Sequence, residues 1–475
     1  MKILLVNPNG LWKNFPSMGL GYLGAVLSEK GYDVKICDSN FTGANPFKAI
    51  DNFKPDVVGA SSFSATFKDS EKIVQYAKKL NKITLVGGPH IAFFQNDVAA
   101  NNFIDYCIWG EGEKVLPELL QDIQNQDIEA IKKLPGIVFK ENDNTIVNPP
   151  ELIKNLDDIP FPDYKLAGLN VLRDYPIFTS RGCPYNCVFC SIKQVMGRVW
   201  RGRSPKNVVD ELISAKENYS AVNFHVLDDN FTFDIARAKK ICERLISEKI
   251  NMEWDCPNGI RADRLDDELL SLMAESGCKR IAFGIESGSP EVFKNIGKGE
   301  SLEQIEAGVK LANKHKIWVQ GFFIIGLPGS TFERELESIN FAKRIGLNSA
   351  SFGMATPYPG TRLMDWVKSN ATVLKDFKDY YIRSLETKPY FETTEFPKED
   401  MTKAFVLGNL QFGSYFLGLG TNKIIDGLKL IKIIAKYDGK HLPFYLYDIA
   451  KRKLILRSVH KIKTLMGYSD MSLVK

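Results

Sequence analysis

Short apolar runs alternate with helix-length stretches through the first part of the chain. Lys2–Val6, Asp33–Cys37, Val57–Ser61 and Thr84–Gly87 read as strands, and Leu20–Lys30, Asp69–Leu80 and Glu113–Gln124 as helices. That alternation predicts a parallel sheet covered on both faces. A second series begins near Tyr175. Strands are predicted at Pro176–Ser180, Asn223–Leu227, Met252–Cys256, Arg280–Gly284, Trp318–Ile325 and Ser349–Ala355, with helical stretches between them. Such βα units in series predict a full or partial barrel. The expected fold class is α/β. A parallel-sheet domain covers residues 1–133, a connector 134–174, a partial (β/α)6 barrel 175–373, and a mostly helical region 374–475.

Two segments depart from this rhythm. In the connector, Leu134–Phe139 reads as a strand hairpinned with Thr145–Asn148. Leu156–Tyr164 then carries Pro160 and Pro162, the mark of a stiff strap. Beyond Leu374 the alternation fades. Ala404–Asn422 is uncharged over 19 residues, long enough to consider a membrane helix. Asn409, Gln411 and four glycines favour a packed or interfacial helix instead. Lys423–Lys475 then holds 12 Lys or Arg against 4 Asp. A basic segment beside an uncharged one points to an anionic membrane surface or an anionic substrate, against the plainer reading of a solvated helix face.

Composition narrows the class. Of 475 residues, 44% are hydrophobic and 25% charged, as in ordinary globular proteins. A net charge of +5 over this length gives no argument for nucleic acid. Eight cysteines are present, five of them scattered. The other three, Cys183, Cys187 and Cys190, follow a C-x3-C-x2-C spacing in one short loop. They are soft thiolate ligands, and no other Cys or His lies within 30 residues. Such a triad suits an iron–sulfur cluster with one iron left open. A structural zinc site is the alternative, but structural zinc is closed by four ligands. A thiolate cluster needs a reducing compartment. The first apolar run is too short for a signal peptide, so the cytoplasm is expected.

Polar residues recur at the ends of the second strand series. Asp228 and Asp229 can accept hydrogen bonds from an ammonium group, and Arg261 can hold a carboxylate. Glu286 and Ser287 can bond ribose hydroxyls, and Phe189 offers a surface for a purine. Singly, each has a bland reading as a helix cap or a turn. Together they fit an amino-acid-bearing nucleoside beside an open iron. In the first domain, small or glycine-rich loops follow the strands at Ser61–Thr66, Gly87–His90 and Gly110–Glu113. They can cradle a ligand or simply punctuate βα units. No G-x-G-x-x-G follows the first strand, which argues against a nicotinamide cofactor.

The triad with Phe189 before its last cysteine resembles the hallmark of radical S-adenosylmethionine (SAM) enzymes. Residues 1–130 resemble the Rossmann-like cobalamin-binding domain preceding the barrel in one large branch, on Pro55–Gly59, Val86–His90 and Gly110–Glu113. Asp157–Tyr164, Asp228–Asn230, Arg261–Asp263, Gly284–Gly288 and Thr356–Thr361 match in order as well. That branch includes the anaerobic magnesium-protoporphyrin monomethyl ester oxidative cyclase and many methyltransferases. The resemblance implies a [4Fe–4S] cluster on Cys183, Cys187 and Cys190. It implies SAM held by Phe189, Asp228, Asp229, Arg261, Glu286 and Ser287, and cleaved reductively to a 5′-deoxyadenosyl radical. It also implies cobalamin near Ser61, Ser62, Ser64, Thr66, Gly87, Gly88, Pro89, His90, Glu111, Gly112 and Glu113. The D-x-H-x-x-G motif for a histidine lower ligand is missing, and His90 is not expected to replace it. The implied activity is methylation of an unactivated carbon, with ring closure or oxidation as the alternative. A non-enzymatic zinc module is the remote one. The implied partners are a small-molecule, lipid or glycan substrate and an electron donor such as flavodoxin or ferredoxin.

Overall fold

The computed structural model describes residues 1–10, 13–375 and 389–412. The basic segment Lys423–Lys475 and most of the uncharged run before it lie outside the described residues. Within them, no helix is long and apolar enough to cross a membrane.

The first sheet comprises β1 (Lys2–Asn7), β2 (Asp33–Asp38), β3 (Val57–Ser61), β4 (Ile83–Gly87), β5 (Tyr106–Ile108), β6 (Ile137–Glu141) and β7 (Asn144–Val147). Its order is β2-β1-β3-β4-β5-β6-β7. The first five strands run parallel, and β6 and β7 form an antiparallel hairpin on β5. Alternation along β1 shows why both faces are covered. Ile3 and Leu5 join Val57 and Leu85 in one apolar cluster, while Leu4 and Val6 join Val58 in another. The hairpin expected in the connector therefore extends the first sheet past residue 133. β5 escaped prediction because three residues carry too little pattern.

The second sheet has six parallel strands, each beside its chain neighbour: Asp174–Ile177, Asn223–Val226, Glu253–Ile260, Cys278–Glu286, Trp318–Ile325 and Ser349–Met354. Its outermost strands do not pair with each other, so the barrel is partial. Its covering helices start on side-chain caps at Ser204, Asp234, Asp266, Ser301, Thr331 and Thr361. The expected strand Pro176–Ser180 is corrected. The strand ends at Ile177, and Ser180–Arg181 pairs antiparallel with Arg201–Gly202. Asp228 pulls Thr179 and Ser180 off the strand line, through bonds of 2.6 Å from Thr179 N and 2.6 Å from Ser180 Oγ.

The proline strap joins the two sheets. Asp163 N donates to Gly21 O at 3.1 Å, Tyr164 N to Tyr219 Oη at 3.0 Å, and Ser204 N to Asp157 Oδ1 at 2.9 Å. Between β3 and β4, Gly88 has φ +104° and packs on the Ser62 backbone. A Cβ there would lie 2.8 Å from Ser62 O and 2.9 Å from Ser62 N. Gly88→Ala is expected to destabilise the protein by about 2 kcal/mol or more, from φ strain and clash together. A lowered denaturant midpoint at unchanged slope would show it.

Candidate active site

The three cysteines lie in the loop leaving the first barrel strand, and all are partly exposed. The loop is clasped at its centre. Val188 N donates to Ile296 O at 3.0 Å, and Val188 O accepts from Leu363 N at 2.9 Å. The Arg362 guanidinium bonds Asn186 O beside it. Burial raises all three thiols, Cys187 to about 11 and Cys190 to about 12. The charges of neighbouring thiolates raise Cys187 and Cys190 further, so the sulfurs lie within electrostatic reach of one another. Metal binding here must displace protons. Among the described residues, no three His, Cys, Asp or Glu side chains form a ready-made site for a single metal ion. Three thiols on one clasped loop, with no fourth protein ligand among the described residues, fit a cluster that keeps one iron open.

The strand ends around this loop divide into two kinds. Asp228 is buried, and its oxygens accept from Thr179 N, Thr179 Oγ1 (2.5 Å) and Ser180 Oγ. It braces the root of the loop. Arg261 is likewise engaged. Its guanidinium bonds Asp263 at 2.8 and 3.0 Å and Lys298 O at 2.6 Å, and stacks 3.7 Å from the ring centroid of Tyr185. The carboxylate it holds belongs to this chain. Ser287 is buried, with its Oγ 3.1 Å from Ser338 Oγ and accepting from Ser289 N. The Phe189 ring packs partly buried against the cluster of Ala355, Leu363 and Phe391. All four of these expected ligand contacts are thus engaged by groups of this chain.

Asp229 and Glu286 are the other kind. Asp229 is exposed in part, while the protein around it displaces much of its water. That loss of water pushes its carboxyl up to about 6, helped by Asp228 and opposed by the bond from Gly182 N. Glu286 closes the fourth barrel strand at φ +70°, after a register shift. Among the described residues it is the one non-glycine inside a strand at positive φ. Such backbone concentrates where a side chain must be aimed. Lys298 Nζ lies 3.7 Å from Glu286 Oε1 and 2.9 Å from Glu300 Oε1, all three nearly buried. Lys298 and Glu300 were not singled out from the sequence.

The first sheet meets the barrel at this same edge. Glu111 is buried and takes Arg181 Nη1 at 3.1 Å, Arg201 Nη1 at 2.7 Å and Ile153 N at 2.8 Å. Glu113 takes Arg181 Nη2 at 2.6 Å. The barrel's arginines thus engage both of the carboxylates expected near cobalamin. Gly112 begins the helix Gly112–Asn125 behind them. Trp109 Nε1 also donates to Gln194 O at 3.3 Å, and the Phe93 and Tyr358 rings stack at 5.8 Å.

The comparisons decide the family. A radical SAM superfamily model matches residues 177–342, and a B12 binding domain model matches residues 10–120. An uncharacterized methyltransferase of Pyrococcus horikoshii is 35% identical over 393 residues, covering 79% of this chain and 84% of the relative. This chain belongs to the cobalamin-binding branch of the radical SAM enzymes. Cytidylyl-2-hydroxyethylphosphonate methyltransferase of Streptomyces wedmorensis is 30% identical, over 76% of this chain and 81% of its own. The radical SAM methyltransferase TsrM of Kitasatospora setae, solved with cobalamin and a [4Fe–4S] cluster, shares the fold. Its TM-score is 0.72 at 17% identity, covering 96% of this chain and 99% of that one.

The cofactors of this radical SAM enzyme are therefore a [4Fe–4S] cluster, SAM and cobalamin. The loops after β3 and β4 fit a corrinoid in part. Ser61 and Gly87 are paired at the strand ends, and a Cβ on Gly87 would meet only Ile108 O, at 3.8 Å. Ser62 Oγ is buried without a hydrogen-bond partner. Thr66 closes a turn with Phe63, at 3.1 Å from Phe63 N. His90, after Pro89, is buried between Phe67 and Phe94, with Nδ1 3.0 Å from Ser64 Oγ. Burial, helped by Lys68, holds it neutral with a pKa near 3. That is a packed core histidine.

Glu111→Gln is expected to cost about 3–5 kcal/mol, because Arg181 and Arg201 would then share a neutral amide in a buried site. Burial opposes the Glu111 charge, but the Arg201 bond and both guanidinium charges outweigh it and hold this carboxyl low. The unfolded chain therefore takes up this proton first. The stability Glu111 contributes is complete above about pH 4.5 and is lost as pH falls through the folded value. Unfolding followed against pH should show a shallower acid slope in the variant.

Proposed function

We propose that this enzyme transfers a methyl group to an unactivated carbon of a small-molecule substrate in a cobalamin-dependent radical reaction. The observation carrying the reading is the seam. The carboxyl ends of the first sheet and the cysteine loop face one edge, joined through Glu111 and Arg181. The methyltransferase relatives support it. When bound, the cluster and SAM supply radical chemistry and the corrinoid supplies the methyl group.

The chain's own part is to place and shield these groups. Cys183, Cys187 and Cys190 hold the cluster. Asp229, with its raised pKa, is the carboxylate assigned to the SAM ammonium, and Glu286 the one assigned to a ribose hydroxyl. Asp228 fixes the loop root, and Tyr185, held by Arg261 and by Arg264 Nε at 3.1 Å, fixes its rim. The Phe93–Tyr358 and Trp109–Gln194 contacts help close the seam to water. A small reducing protein such as flavodoxin or ferredoxin would supply the electron.

Anaerobic reconstitution tests the reading. About four irons per chain and reductive cleavage of SAM are expected. Cys190→Ser should lose cluster-dependent cleavage by several orders of magnitude while keeping its fold by circular dichroism. With cobalamin and substrate, the product mass should rise by one methyl unit. A product with no such gain would move the reading to ring closure or oxidation.

A further inference from the structure

We propose that Lys298 is a positioning residue for the cluster: its backbone adjoins the Cys187 arm of the loop, and its buried ammonium raises the cluster's reduction potential, with Glu300 setting how far. The inference rests on the cluster assignment and goes beyond it.

The placement is built into the backbone. Ile296 O holds Val188 N, the residue after Cys187. At Gly297, a Cβ would lie 4.0 Å from Asn186 O, the residue before Cys187. Lys298 O is pinned by Arg261 Nη1. The side chain then passes over the fourth barrel strand, where a Cβ on Gly284 would lie 3.3 Å from Nζ. Only 7% of the Lys298 side chain is exposed, so its charge is poorly screened by water. The same Arg261 that pins Lys298 O stacks on Tyr185 of the cysteine loop, so the lysine and the loop share one support.

Glu286 and Glu300 share the ammonium, and Glu300 is closer, at 2.9 Å against 3.7 Å. Glu300 Oε2 also accepts from Ala262 N at 3.1 Å. A glutamine would keep that acceptor while removing the charge. A reduced cluster carries one more negative charge than an oxidised one. A nearby cation therefore favours reduction, and an anion opposes it.

The experiment is a redox titration of the reconstituted enzyme, followed by electron paramagnetic resonance of the reduced cluster, without substrate. Lys298→Met should shift the midpoint to a more negative potential, and Lys298→Arg should leave it near the native value. Glu300→Gln should shift it to a more positive potential. Opposite shifts from the two charge removals, at native iron content, are the expected result. If Lys298→Met fails to hold iron, the Glu300→Gln and Lys298→Arg values decide. A midpoint unchanged in Glu300→Gln, or moved negative, overturns the inference. So does a native midpoint in an iron-loaded Lys298→Met. Absence of a four-iron cluster from the native chain would instead overturn the cluster assignment.

Discussion

A carboxylate taken out of water is stable only where charge-assisted donors replace the water it lost. Glu111 meets that condition through groups from outside its own module. Arg181 and Arg201 belong to the barrel, and Ile153 to the connector. The charged groups cannot be satisfied separately, so the first sheet and the barrel have one relative placement that leaves none stranded. Arg181 is also two residues before Cys183. The same contact that registers the modules therefore fixes the root of the cysteine loop. The ring stack and the indole bond along the seam are weaker and align with it.

Much of the fold was legible because parallel sheets write themselves as apolar runs. Six of the first sheet's strands and five of the barrel's carried enough length and pattern to be found close to their places. Two errors have physical reasons. β5 has three residues, and the first barrel strand is bent off its line by Asp228, a long-range bond that no local pattern encodes. The cysteine triad was legible because ligand spacing is a local property. The rest of the site was less so. Residue type showed that Arg261 would hold a carboxylate, but not that the carboxylate is Asp263, two positions along. Glu111 and Glu113 were visible as loop residues, but their arginine partners lie 68 to 90 positions away.

Asp228 and Asp229 show how finely environment divides identical groups. They are adjacent in sequence and at the end of one strand. One is enclosed by hydroxyl and amide donors, and the other is open to solvent. The first holds the loop in shape. The second keeps a carboxyl whose raised pKa leaves its charge state open to what binds beside it. A single motif thus contains both the support and the contact, and neither residue could exchange roles without turning the strand end over.

The clasp on Val188 carries a different consequence. In small zinc domains the metal creates the shape that binds it, because the apo chain has no reason to order its ligands. Here the centre of the loop is already bonded on one side to Ile296 and on the other to Leu363, by main-chain groups that owe nothing to sulfur. The conformational entropy of the loop is thereby lost during folding of the barrel. Assembly of the inorganic centre becomes a late event on a finished template. A chain that meets oxygen and sheds its iron can keep the mould in which a new cluster is cast.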